Sequence, residues 1–216
     1  MHWVYYFGRG LAHFLMFFLA RWEIKGRENV PARGPLLIVS NHLHIADPPI
    51  VAASIKLKLV FMAKDDLWRN RWNRFWVENF GAFPVRRAGL GREALRTAEG
   101  WIKRGVSVVV FPEGGRSHTP GLRPALPGAA LLASQLKVPI LPVGITGTDK
   151  FYDIWWTLRH HPTVTVNIGR PFNPPTDGKL TREQRQEAIE HIMKKVAALL
   201  PPPYRGVYSG GGRAQD

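Results

Sequence analysis

A histidine and an aspartate stand close together where a run of branched apolar residues ends. The segment LLIVSN, residues 36–41, leads into His42, and Asp47 follows after Leu43, His44, Ile45 and Ala46. A carboxylate that accepts one imidazole N–H fixes the ring's tautomer and raises the basicity of the other nitrogen, which can then take a proton from an attacking hydroxyl. Such a pair is two-thirds of a serine-hydrolase triad, with the nucleophile left to the substrate's own alcohol. The two side chains meet provided the chain begins a helical turn after His42; the same spacing also arises by chance, serving only to cap local backbone. A second candidate closes the most apolar run, VSVVVFP, where Phe111, Pro112, Glu113, Gly114, Gly115, Arg116 and Ser117 follow in order. Two glycines let backbone approach a ligand and bare their amide N–H groups, and Arg116 offers a planar fork matched to phosphate. The plainer reading is a tight turn in which Glu113 and Arg116 pair with each other or with their neighbours.

The elements that must position these residues alternate. Strand-like runs lie at 36–41, 59–64, 82–87, 106–112, 140–147 and 163–169, with helical patterns between them. This alternation predicts a single α/β domain with a mostly parallel or mixed central sheet flanked by helices. Ligand sites in such sheets gather at the carboxyl ends of the strands, which is where both candidate segments fall. Leu90, Ala94, Leu95, Ala98, Trp101 and Ile102 mark one face of a helix that Gly105 can end. A second helix follows Thr181, whose pairing with Gln184 has the form of a capping box. From Pro201 the chain has little apolar content, so residues 201–216 are expected to form a flexible tail.

Residues 3–20 are rich in large apolar side chains, but Arg9 interrupts them and the run is shorter than the roughly 20 residues that span a bilayer. No basic start or small-residue cleavage site marks a secretory signal. Trp3, Phe7, Leu11, Phe14 and Phe18 recur at helical spacing, which predicts an interfacial helix within residues 1–28, ahead of a domain over 29–200. Core packing is the alternative use of that stripe. Phe151, Tyr152, Ile154, Trp155 and Trp156 form a second aromatic cluster that suits either a water–lipid boundary or the core. Thirty Lys and Arg against sixteen Asp and Glu leave a net charge of +14, which favours anionic partners such as acidic lipid, phosphorylated metabolites or nucleic acid. With no cysteine in the chain, disulfides, thiolate nucleophiles and cysteine zinc sites are excluded.

Taken in order, Asn41-His42 with Asp47, then Gly81-Ala82-Phe83-Pro84-Val85-Arg86-Arg87, then Phe111 to Ser117, then Val138-Pro139-Ile140-Leu141-Pro142-Val143-Gly144 resemble the four blocks of the glycerolipid acyltransferase family. Lys64-Asp65-Asp66-Leu67 is similar to that family's lysine-led segment. The resemblance implies a membrane-surface enzyme moving an acyl group to a lysolipid hydroxyl, with 1-acylglycerol 3-phosphate as leading acceptor and phosphatidate as product. On that likeness His42 is the general base and Asp47 its orienting carboxylate. Arg87, Glu113, Gly114, Gly115 and Arg116 hold the acceptor, and Pro142 lies in the segment supporting the site. The donor is an acyl thioester of coenzyme A or acyl carrier protein, with no further cofactor and no metal, and the location is the cytoplasmic face of the cell membrane. Departures touch the acceptor side: His44 stands where the family often has serine, Gly115 where threonine is frequent, Arg86 where an acid or apolar residue is usual, and Leu126 and Pro127 where a lysine is common.

Two rival readings stay open on the residues. His42, His44 and Asp47 approach a binuclear metallohydrolase pattern, but the aspartate is one place late and His118, His160, His161 and His191 lack ligand spacing. Trp68, Trp72 and Trp76 interleave with Arg69, Arg71 and Arg74, as in a single-strand nucleic-acid binder. No known nucleic-acid module accompanies them, and the same segment suits anionic lipid, so no nucleic-acid partner is expected.

Overall fold

A computed structural model describes residues 3–85, 90–117, 119–174 and 180–210. Its centre is a seven-stranded sheet: β1 (Arg21–Lys25), β2 (Leu37–Ser40), β3 (Leu59–Lys64), β4 (Ala82–Val85), β5 (Ser107–Val110), β6 (Ile140–Thr146) and β7 (Thr163–Ile168). The strand order is β1-β7-β6-β2-β5-β3-β4, parallel throughout except where β7 runs antiparallel to β6. The predicted α/β class with a mixed sheet therefore holds. Strand β2 lies in the middle, its Leu37 in register with Val108 of β5 on one side and Ile140 of β6 on the other.

Successive side chains on a strand face opposite ways, so an apolar run buries two cores at once. Leu37 and Val39 enter one core, capped by α4 (Arg92–Lys103), α5 (Gly128–Leu136) and α7 (Arg182–Ala197). Leu36 and Ile38 enter the other, closed by α1 (Trp3–Leu19) and α2 (Asp47–Ser54). Two shorter helices, α3 (Arg71–Asn79) and α6 (Ile154–His160), complete the set, and both carry exposed aromatics. Helix α7 begins as its sequence predicts, Thr181 Oγ1 accepting from Gln184 N while Gln184 Oε1 accepts from Thr181 N.

Two departures have physical causes. The six expected strands become seven because β1, Arg-Trp-Glu-Ile-Lys, is an edge strand with charged residues alternating outward and no apolar run to mark it. The expected flexible tail is corrected over residues 201–210, which pack as two short 3₁₀ turns. Tyr204 Oη donates to Asp149 Oδ1 at 2.8 Å and Tyr208 Oη accepts from Ala125 N at 3.0 Å. Three prolines pre-set the backbone here and lower the entropy of ordering, and the tyrosines bring both apolar area and a polar tip. Residues 211–216 lie outside the described residues.

Candidate active site

Strands β2, β3, β5 and β6 all point their carboxyl ends at one edge of the sheet, and the candidate residues collect there. Buried Asn41 extends β2 by one step: its Nδ2 donates to Ile145 O at 2.8 Å and its Oδ1 accepts from Ile145 N at 2.7 Å. That pairing fixes where His42 leaves the sheet. The His42 backbone is then held at both ends, its N–H donating to Glu113 Oε1 at 3.0 Å and its carbonyl accepting from Ser117 N at 2.7 Å. Its ring stacks on Phe111, centroids 4.4 Å apart.

The helical turn required after His42 is present. Asp47 opens α2 with Pro48 and Pro49 behind it, positions where a missing N–H costs nothing. Asp47 is fully buried, and its Oδ2 lies 2.8 Å from His42 Nδ1 while accepting from Leu43 N at 2.6 Å and His44 N at 2.7 Å. One carboxylate oxygen thus accepts from three donors at the start of a helix. The proton shared with His42 is thus assigned to Nδ1, which leaves the Nε2 lone pair free to act as a base. The His42 side chain keeps 16% of its surface exposed, enough for a substrate to reach it.

His44 uses its Nδ1 differently, accepting the Ala46 N–H at 3.2 Å. Burial lowers its basicity, the nearby Arg116 and His42 lower it further, and Asp47 works in the opposite direction. Among the described residues no three His, Asp or Glu side chains converge as a metal cluster would require.

The glycine loop is built by residues that do not all face outward. Glu113 is buried and both of its oxygens are taken, Oε1 by His42 N and Oε2 by Arg123 N at 3.0 Å. Burial pushes its carboxyl upward, while the two backbone donors, Arg123 and His42 draw it back down. Its place is thus inside the loop, tying it to His42, with both carboxylate oxygens occupied by backbone donors. Gly114 adopts φ +67°, which a side chain would strain, and a Cβ there would also meet Leu126 Cδ1. The Gly115 carbonyl accepts from Arg123 Nη2 at 2.6 Å, and a Cβ on Gly115 would stand 3.0 Å from Lys64 Nζ. The glycine in place of a frequent threonine makes room for that cation. Arg116 is exposed beside His44.

Pro142 lies in β6, inside the expected strand run, buried opposite Val39 with its carbonyl accepting from Gly169 N at 2.9 Å. Arg87 lies outside the described residues. Sequence reasoning missed Arg123 and undervalued Lys64. Arg123 sits in Gly-Leu-Arg-Pro, a stretch without pattern, and only the return of the chain from Ser117 to α5 brings it beneath the loop. Lys64 ends β3, and its position at a strand's carboxyl edge was the available signal.

An α/β sheet that presents a carboxylate-steadied imidazole beside a cationic glycine loop has the geometry of a general-base site. The family model described as Acyltransferase matches residues 21–146, more than half of the chain, and the protein belongs to that acyltransferase family. It is similar to the 1-acyl-sn-glycerol-3-phosphate acyltransferase of Streptococcus pneumoniae, 29% identical over 201 residues that cover 89% of this chain and 70% of that protein. The Bacillus subtilis protein of the same description is 24% identical over 80% of this chain and 84% of its own length. The crystal structure of the 1-acyl-sn-glycerophosphate acyltransferase of Thermotoga maritima shares the fold, with a TM-score of 0.67 and 24% identity over 89% of this chain and 76% of that one.

Proposed function

We propose that this acyltransferase moves a fatty acyl group from a thioester of coenzyme A or acyl carrier protein to the free hydroxyl of 1-acylglycerol 3-phosphate, yielding phosphatidate at a membrane surface. The observation that carries the reading is the 2.8 Å contact of Asp47 Oδ2 with His42 Nδ1, which leaves Nε2 open to act as a base. His42 Nε2 removes the acceptor's hydroxyl proton as its oxygen attacks the thioester carbonyl. The tetrahedral intermediate expels the thiolate, which recovers the proton from the imidazolium. No acyl-enzyme is needed, because a thioester is activated enough for direct attack by a hydroxyl with a positioned base. Asp47 supports the transient positive charge without taking the proton itself. Arg116 and Lys64 supply the cations for the acceptor phosphate, and Arg87 is assigned to the same role from the family likeness. Glu113 is a positioning residue.

Access from a bilayer is supported by the surface. Helix α1 buries only Tyr5 and Met16 and exposes Trp3, Phe7, Phe14 and Phe17. Trp72, Phe75 and Trp76 of α3, Trp155 of α6 and Tyr152 just before it are exposed as well. No helix among the described residues is long and apolar enough to cross a membrane. Aromatic side chains with polar tips favour the headgroup level, and the positive net charge favours an anionic leaflet. We assign the enzyme to the cytoplasmic face of the cell membrane as a monotopic or peripheral protein, with no nucleic-acid partner.

The test is acyl transfer by the purified protein to 1-acylglycerol 3-phosphate, glycerol 3-phosphate and a phosphate-free monoacylglycerol. Transfer to the first acceptor and little to the third is the expected result. Equal rates on all three would remove the phosphate pocket from the account, and a preference for glycerol 3-phosphate would change the acceptor.

A further inference from the structure

The sequence of α1 contains a charge that the catalytic reading does not use. Arg9 interrupts an otherwise apolar and aromatic helix, and His13 stands one turn later on the same side. Both line a cavity of about 920 Å³ between α1, the end of α2 and the segment that follows β1. Two more cations reach it, Arg27 from the turn after β1 and Lys56 from just beyond α2. The single acid in the lining is Glu28. Among the described residues Arg9, Arg27 and Lys56 have no carboxylate within ion-pair distance. The rest of the wall is largely apolar, including Val30, Pro31, Ala53 and Leu57. Because α2 starts at Asp47 and ends at Ser54, the cavity lies at the opposite end of that helix from the catalytic pair.

We propose that this cavity is a second lipid site, distinct from the active site, that holds the phosphate-bearing headgroup of an anionic phospholipid from the bilayer on which α1 rests. Clustered cations without a carboxylate partner over an apolar lining complement an amphiphile whose phosphate meets Arg9, Arg27 and Lys56 while its glycerol and upper chains lie along Ala53 and Leu57. Arg27 and Lys56 are exposed at the mouth and Arg9 is half-buried against the Tyr5 hydroxyl, so a phosphate seated among them offsets their mutual repulsion and occupancy favours the bound protein over the free one. Arg9 is thereby explained as a headgroup ligand set inside a membrane-facing helix. The site rests on the membrane-surface reading and would dock and orient the enzyme without touching the acyl-transfer chemistry.

The experiment is co-sedimentation of the full chain with vesicles of phosphatidylcholine alone and of phosphatidylcholine mixed with phosphatidylglycerol. The unaltered protein is expected to bind both and to prefer the anionic vesicles. Each basic side chain near an anionic surface contributes roughly fivefold, so Arg27→Gln with Lys56→Gln should weaken binding to the anionic vesicles by about 25-fold and leave neutral binding unchanged. Arg92→Gln with Lys103→Gln removes the same charge from α4, on the other face of the sheet, and should keep the preference. Ala53→Phe fills the cavity without altering charge and should also erase the preference. If Ala53→Phe binds as the unaltered protein does, the attraction is diffuse and the site is overturned while the membrane reading stands. Failure of the unaltered protein to bind either vesicle would sink the membrane reading and this site with it.

Discussion

At the scale of single residues, two rings of interaction converge on His42. One is the Asp47 carboxylate, which fixes the tautomer; the other is the loop that clamps the histidine backbone through Glu113 and Ser117. Asp47→Asn replaces an acceptor with an amide that cannot face three donors alike, and it should lower kcat by about a hundredfold or more while substrate binding changes little. Steady-state kinetics on 1-acylglycerol 3-phosphate would check this, and a pure KM effect would count against it. Arg123 reaches Glu113 O at 3.3 Å and Gly115 O at 2.6 Å, so Arg123→Ala leaves both carbonyls without their charged donor. Losing such a bond costs about 1.5–3 kcal/mol, a fall of roughly tenfold to a hundredfold in kcat/KM. The same change removes a cation that holds the Glu113 carboxyl down, so the acid limb of the pH–rate profile should move to higher pH. His44 titrates in the opposite sense. Its folded basicity lies below the ordinary value of 6.5, so the unfolded chain takes the proton first. Stability from this group is complete above 6.5 and is lost as pH falls below 6.5 toward the folded pKa. The denaturation midpoint of the native protein should therefore fall more steeply over that range than that of His44→Ser. The His42 and Asp47 pair was legible because both partners sit within one turn of a strand end. Arg123 was not, because its contacts with Glu113 and Gly115 depend on the path of the whole 117–128 segment.

At the scale of elements, the sequence periodicity located six strands because their apolar runs are buried on both faces, and it passed over β1 because an edge strand with alternating charge carries no such run. The capping box of α7 was readable from Thr181 and Gln184 alone, since both bonds close within the first turn. The segment after Pro201 was misread for a complementary reason. Its few apolar residues suggest disorder, yet two tyrosines place hydroxyls on Asp149 and Ala125, partners that no local pattern reveals. Tyr208→Phe leaves the Ala125 N–H without an acceptor in a buried setting, and should destabilise the fold by about 1–3 kcal/mol. Chemical denaturation would read that loss as a lower midpoint with an unchanged slope. A slope that falls with it would mean instead that the 201–210 segment detaches on its own.

At the scale of the whole molecule, chemistry and surface are divided between the edges and faces of one sheet. The carboxyl edge of β2, β3 and β5 carries the His42–Asp47 pair, Lys64 and the glycine loop, while α1, α3 and α6 turn aromatic side chains outward. This division was only half legible. Charge and the aromatic count pointed to an anionic surface, but which aromatics are exposed was decided by packing, which buried Tyr5 and left Phe7 and Phe14 outside. On the proposed function, a base at a bilayer surface takes its acyl donor from water and its acceptor from lipid without crossing the membrane. The most direct test of its central claim is the single-turnover rate of acyl transfer to 1-acylglycerol 3-phosphate by His42→Ala beside the unaltered protein, with both bound to the same vesicles. General-base catalysis contributes about 10²–10⁴-fold, so the variant should be slower by at least a hundredfold at equal membrane occupancy. A rate within a few-fold of the unaltered enzyme would contradict the assignment of the proton to this imidazole.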